Sequence, residues 1–102
     1  MKFFVKFVRE EYGKGLKLTP IVQFEDTEYL LFEWKPALRE KLKNMHYEID
    51  GNSIIFTKGM LLEKIPFYEE AIALMLANAL ANNEEDLEPV TPKEVLKGLR
   101  RI

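Results

Sequence analysis

The sequence predicts a single α+β domain: an antiparallel sheet of about five strands, in the order β-β-β-α-β-β-α-α, packed against one long apolar helix and a C-terminal helix. Three observations predict it. Short alternating apolar runs are separated by tight turn signals, which joins successive strands as hairpins and makes the sheet antiparallel. Residues 66–82, PFYEEAIALMLANALAN, read as one helix that is apolar nearly all the way round, and such a helix is covered on most of its faces. The chain has 102 residues, 47 % of them apolar and 12 % aromatic, enough for one modest core and no second one.

The first strand covers residues 2–9. Phe3, Val5 and Phe7 point one way, while Lys2 and Lys6 point the other with Phe4 and Val8 among them. That is a strand with one buried face and one mixed face. Tyr12-Gly13-Lys14-Gly15 is a turn, and a second strand follows over about 16–24. Pro20 lacks an N–H, so this strand is expected at a sheet edge or broken there. Glu25-Asp26-Thr27-Glu28 is a polar turn. Tyr29–Lys35 is apolar on both faces and belongs inside the sheet.

Pro36 suits the first position of a helix, and Leu38, Leu42 and Met45 give a short amphipathic helix over about 36–45. A hairpin follows, with Tyr47 and Ile49 before Asp50-Gly51-Asn52 and Ile54 and Phe56 after it. Residues 60–65 fit either a strand or the lead into the long helix, which Pro66 opens. Asn82–Pro89 is an acidic connector. Thr91-Pro92-Lys93-Glu94 then combines a capping threonine, a proline at the first position and a capping-box glutamate. Val95, Leu96, Leu99 and Ile102 form the apolar stripe of the predicted last helix.

Composition excludes several classes. There is no cysteine, hence no disulfide framework and no thiolate chemistry. Charges at Lys2, Lys6 and Arg9 interrupt the N-terminal apolar run, so it is not read as a signal peptide. The longest uncharged apolar segment, 71–80, is far short of the ~20 residues of a membrane span. A soluble, cytoplasmic protein with no membrane contact is expected. Charged residues make up 31 % against a single Ser, a single Gln and a single His, a balance that fits a thermophile.

The net charge of −2 is unevenly spread: residues 1–19 and 93–102 are each net +3, and the stretch between them is net −8. The two basic termini could meet as one patch. Equally, Arg100 and Arg101 could serve only the C-terminal end of a helix dipole.

Little in the chain carries chemistry. One histidine and no cysteine leave no thiolate or histidine-rich metal site. Glu84-Glu85-Asp86-Leu87-Glu88 lacks the alternating ligands and glycine of a calcium loop. A histidine can serve as a general base near neutral pH, but His46 has no orienting partner in the sequence. Ser53 sits beside a turn and outside any nucleophile elbow, and no phosphate-binding glycine loop occurs. No cofactor, metal or small-molecule ligand is predicted.

Glu33-Trp34-Lys35 is an E-x-K at the end of an apolar strand, with Asp26 before it and a helix after it. Over about ten residues it resembles the PD-(D/E)xK nuclease pattern. The resemblance implies a magnesium ion held by Asp26 and Glu33, with Lys35 beside them. The predicted hairpin argues otherwise. It puts Asp26 at the tip and Glu33 roughly 20 Å along the next strand, too far for one ion with ligands near 2 Å. The acidic N-terminal helix usual in that family is also missing. Metal-dependent hydrolysis is therefore the third reading.

Two binding readings stand ahead of it. Lys2, Phe4 and Lys6 share the mixed face of the first strand, with Lys14 and Lys17 near them, a mixture of cations and aromatics suited to single-stranded nucleic acid. On the long helix, Ala73, Ala77 and Ala81 recur every four residues as a small-residue ridge flanked by Leu76 and Leu80. That ridge lets another element approach closely, either from the chain itself or from a second copy in a homodimer. The sequence favours a non-enzymatic module that self-associates, with nucleic-acid binding as the alternative.

Overall fold

The computed structural model describes residues 3–13, 15–31, 34–56, 62–82 and 99–102. It is an α+β fold with a curled antiparallel sheet and two helices. The strands are β1 (Phe4–Tyr12), β2 (Gly15–Phe24), β3 (Thr27–Leu31), β4 (Glu48–Asp50), β5 (Ser53–Phe56) and β6 (Leu99–Arg101). The helices are α1 (Pro36–Asn44), between β3 and β4, and α2 (Ile65–Asn82), which a single 3₁₀ turn, Leu62–Lys64, leads into.

The sheet is organised around β2. One edge of β2 pairs with β1 over its whole length, from Phe4↔Gln23 to Tyr12↔Gly15. The opposite edge is divided. β3 takes residues 21–24 and β5 takes residues 16–18. β6 continues outward from β3, and β4 from β5.

Pro20 sits at the division. In an antiparallel ladder, the backbone groups of successive residues point to alternate edges. The pairs flanking two-residue hairpin loops, Tyr12↔Gly15 and Phe24↔Thr27, are the hydrogen-bonded kind. Counting from them, the even residues of β2 face β3 and β5. At position 20 the proline supplies no N–H to that edge. The register continued by one step sets Pro20 opposite Leu31, whose carbonyl thereby loses its ladder donor. The side chain of Asn52 replaces it: Nδ2 donates to the Leu31 carbonyl oxygen at 2.6 Å. The Asn52 carbonyl in turn accepts from Trp34 Nε1 at 3.1 Å. Thr19 and Ser53 close the seam with hydroxyls 2.9 Å apart.

The sequence expectation for this strand is thus corrected. β2 is neither an edge strand nor broken at Pro20; among the described residues it is the strand with the most partners, and its proline occupies the place where the Asn52 side chain supplies the donor the proline lacks. A second correction concerns the C-terminus. Residues 99–101 of the predicted last helix form strand β6, with Leu99 opposite Leu31. The outer edge of β3 offers a ladder that helical periodicity does not reveal. The helix start at 91–94 lies outside the described residues.

The turns follow backbone chemistry. Gly51 has φ +61° at the first position of the Gly51-Asn52 loop, as in a type II′ turn, where a side chain would be strained. Helix α1 starts at Pro36 as its sequence predicts. It ends with His46 in the left-handed region at φ +67°. The His46 N–H donates to the Lys43 carbonyl at 3.0 Å and the Tyr47 N–H to the Leu42 carbonyl at 3.1 Å. That is a Schellman cap with histidine where glycine is usual.

One core holds the layers together. Leu18 and Val22 of β2, Ile54 and Phe56 of β5, Leu38 and Leu42 of α1, and Ile72 and Leu76 of α2 are buried in a single cluster. Phe56 extends it with stacked Tyr68 and edge-on Tyr47. Among the described residues, no helix is long and apolar enough to cross a membrane.

The seam yields a prediction. Asn52→Ala should lower the unfolding free energy by about 1–3 kcal/mol, the cost of leaving the Leu31 carbonyl without a donor. Asn52→Asp, which also lacks the donor, should cost at least as much. Denaturant unfolding measures both. An unchanged midpoint would remove the role given to this side chain.

Candidate functional site

The feature that stands out on the described surface is an open groove between β1 and α2. The helix lies beside β1 because Ile72 and Leu76 enter the core while Glu69 grips Arg9. Arg9 Nε donates to Glu69 Oε2 at 3.1 Å, and Nη2 donates to the other carboxylate oxygen, a two-pronged pair that fixes helix against strand. The carboxylate accordingly raises the pKa of Arg9 above its ordinary value.

Between these anchors and the helix end lies a trough of about 380 Å³. Phe3, Phe4 and Val5 form the strand wall. Ala73, Leu74, Ala77, Asn78 and Ala81 form the helix wall. A second hollow continues it toward Arg9, bounded by Val5, Phe7, Glu69, Glu70 and Ala73.

The helix divides its apolar residues between two faces. Ile65, Ile72, Leu76, Ala79 and Leu80 are buried. Ala73, Ala77 and Ala81 are half-buried on the groove side. Phe67, Ala71, Leu74 and Asn78 are exposed. The ridge of alanines foreseen in the sequence is therefore half-covered: Ala77 and Ala81 pack in part against the core, and the rest of the ridge shapes the groove. Leu76 and Leu80, foreseen beside it as interface residues, face the chain's own core instead. Phe67 and Leu74 are exposed, and the helical wheel, which sets both on the side opposite Ile72 and Leu76, is the sequence signal that finds them.

The basic strand comes out differently. Phe4 is exposed on β1 as foreseen. Lys6, on the same face, is ion-paired with Glu28 of β3. Lys17 lies 3.9 Å from Asp50 and 5.9 Å from the centre of the Tyr12 ring. Lys2 and Lys14 lie outside the described residues. Each described lysine of the set has a carboxylate within reach, so the local field is nearer neutral than the strand's own sequence implies.

The residues of the nuclease-like pattern are scattered in kind. Asp26 is exposed in the β2–β3 turn, Lys35 is the N-cap residue of α1, and Glu33 lies outside the described residues. Among the described residues, no three His, Asp or Glu side chains gather where a metal could be held. His46 is the exposed helix cap described above, and Ser53 is buried with its hydroxyl engaged by Thr19 and Asn52. Neither is arranged as a base or nucleophile with a partner. In comparisons with protein-family models, curated proteins and solved structures, none matched this chain.

A structural duty for His46 has a direct consequence. A non-glycine residue in the left-handed region costs about 1–2 kcal/mol. His46→Gly should accordingly raise the unfolding free energy by about 1 kcal/mol, read as a higher melting temperature. A destabilised variant would show that the imidazole makes a contribution beyond capping.

Proposed function

We propose that this protein is a small non-enzymatic interaction module that self-associates, using the groove-side face of α2 and the adjoining strand β1. The observation that carries the reading is the alanine ridge. Ala73, Ala77 and Ala81 stand on an open apolar trough, with Leu74 exposed at its rim. Small side chains in a row permit the 8–10 Å approach of a second helix. The described residues offer no cluster of catalytic groups to set against this.

A nucleic-acid reading would rest on exposed Phe4 next to Lys6, with Lys2, Lys14 and Lys17 completing the set. The acidic partners of Lys6 and Lys17 weaken it, because phosphate contacts would have to displace Glu28 and Asp50.

Ala77→Glu tests the proposal. The new carboxylate projects into the groove, where a monomer can solvate it and a closed interface cannot. Burying an unpaired charge costs several kcal/mol, so self-affinity should fall by about a hundredfold or more. Circular dichroism should meanwhile remain that of the wild type. Sedimentation of the two proteins gives the answer. Wild-type protein that stays monomeric at millimolar concentration would refute self-association.

A further inference from the structure

Among the described residues the sheet has three outer strands, and they are very unequal. β4 and β6 have three residues each, and β1 has nine. Among the described residues β1 pairs only with β2. Its even residues bond to β2, so the backbone N–H and C=O groups of Val5, Phe7, Arg9 and Glu11 point outward. A long unpaired edge with apolar side chains is a template for another strand, and proteins ordinarily blunt such edges. Here the sheet face turned away from α2 carries Phe4 at 63 % exposure, Val8 at 48 % and Tyr12 at 49 %, alternating with Lys6 and Glu10.

We infer that the occupant of this edge is β1 of a second copy, paired antiparallel about a two-fold axis through Val8, so that the two sheets become one. This inference rests on the self-association proposed above and specifies its register. The outward backbone groups belong to odd residues, so only registers that pair odd with odd are open. One of them stands apart. With Val8 opposite Val8, Lys6 falls opposite Glu10 of the second copy and Phe4 opposite its Tyr12. The two-fold axis makes each of those pairs twice. Opposite charges and paired aromatics are the combinations that stabilise neighbouring strands.

A shift of the axis to Phe7 sets Lys6 against Val8 and Glu10 against Phe4. A shift to Arg9 sets that arginine against itself. Further shifts oppose Lys6 to Lys6 or Glu10 to Glu10. Charge complementarity thus singles out the Val8 register. A two-fold axis perpendicular to the sheet leaves the two α2 helices on the same face of the joined sheet.

The chain contains no cysteine, which permits a clean test by single thiols. In the proposed register, Val8 forms a non-hydrogen-bonded pair with its own copy, with Cα atoms about 4.5 Å apart. That distance is within reach of a disulfide. Val8→Cys should form a covalent dimer readily when oxidised with diamide. Lys6→Cys alone and Glu10→Cys alone should not, since each thiol would lie roughly 14 Å along the strand from its own copy. An equimolar mixture of those two variants should cross-link, because positions 6 and 10 face each other. Cross-linking of Lys6→Cys or Glu10→Cys with itself would overturn the register. So would unlinked Val8→Cys together with an unlinked mixture, in a protein whose wild type sediments as a dimer; self-association would then stand by another surface. A monomeric wild type would remove both.

Discussion

The structure depends on how the edge of one strand is divided. β2 is bonded along one side by a single partner of matching length and along the other by two short strands laid end to end. A proline is tolerated in the middle of such a strand only where the ladder is interrupted. Pro20 occupies that interruption, and Asn52 supplies the hydrogen bond that the proline cannot. The divided edge has a consequence on the far side. Because β3 and β5 each cover only part of β2, β1 alone runs its full length, and the outer edge of β1 becomes the longest in the sheet. The surface from which we infer self-association is a product of the same constraint that places the core.

Local patterns in the sequence reported local structure well. The alternation of Val5 and Phe7 against Phe4 and Lys6 did mark a strand, but the face expected to be buried is only half-buried at Val5 and Phe7 and is exposed at Arg9 and Glu11. Pro36 opened its helix, and Asp50-Gly51-Asn52 turned its hairpin. Pairing between distant segments was not legible, for a physical reason. Whether Leu99 continues a helix or joins a sheet depends on the outer edge of β3, nearly seventy residues earlier in the chain. Pro20 misled for the same reason. Its missing N–H argued for an edge strand, whereas the compensating donor comes from Asn52, in a hairpin loop far along the chain.

Much the same division holds for the candidate site. The ridge of Ala73, Ala77 and Ala81 could be read from a four-residue repeat. Which of its neighbours face the core could not, because that depends on where the sheet lies: Leu76 and Leu80 turn inward, and Leu74 and Phe67 turn out. The pairing of Lys6 with Glu28 and of Lys17 with Asp50 was equally hidden, since each joins residues more than twenty positions apart. Charge counted along a strand overstates the positive field of a surface whose neighbouring strands carry the acids.

Backbone amide exchange, followed residue by residue at rising protein concentration, tests the central claim most directly. The amides of Lys6, Val8 and Glu10 donate within the sheet and should be protected at every concentration. Those of Val5, Phe7 and Arg9 point to the open edge, and the account predicts that they exchange rapidly in dilute solution and become protected as the protein associates. Rapid exchange of Val5, Phe7 and Arg9 in a sample that is demonstrably dimeric would contradict it.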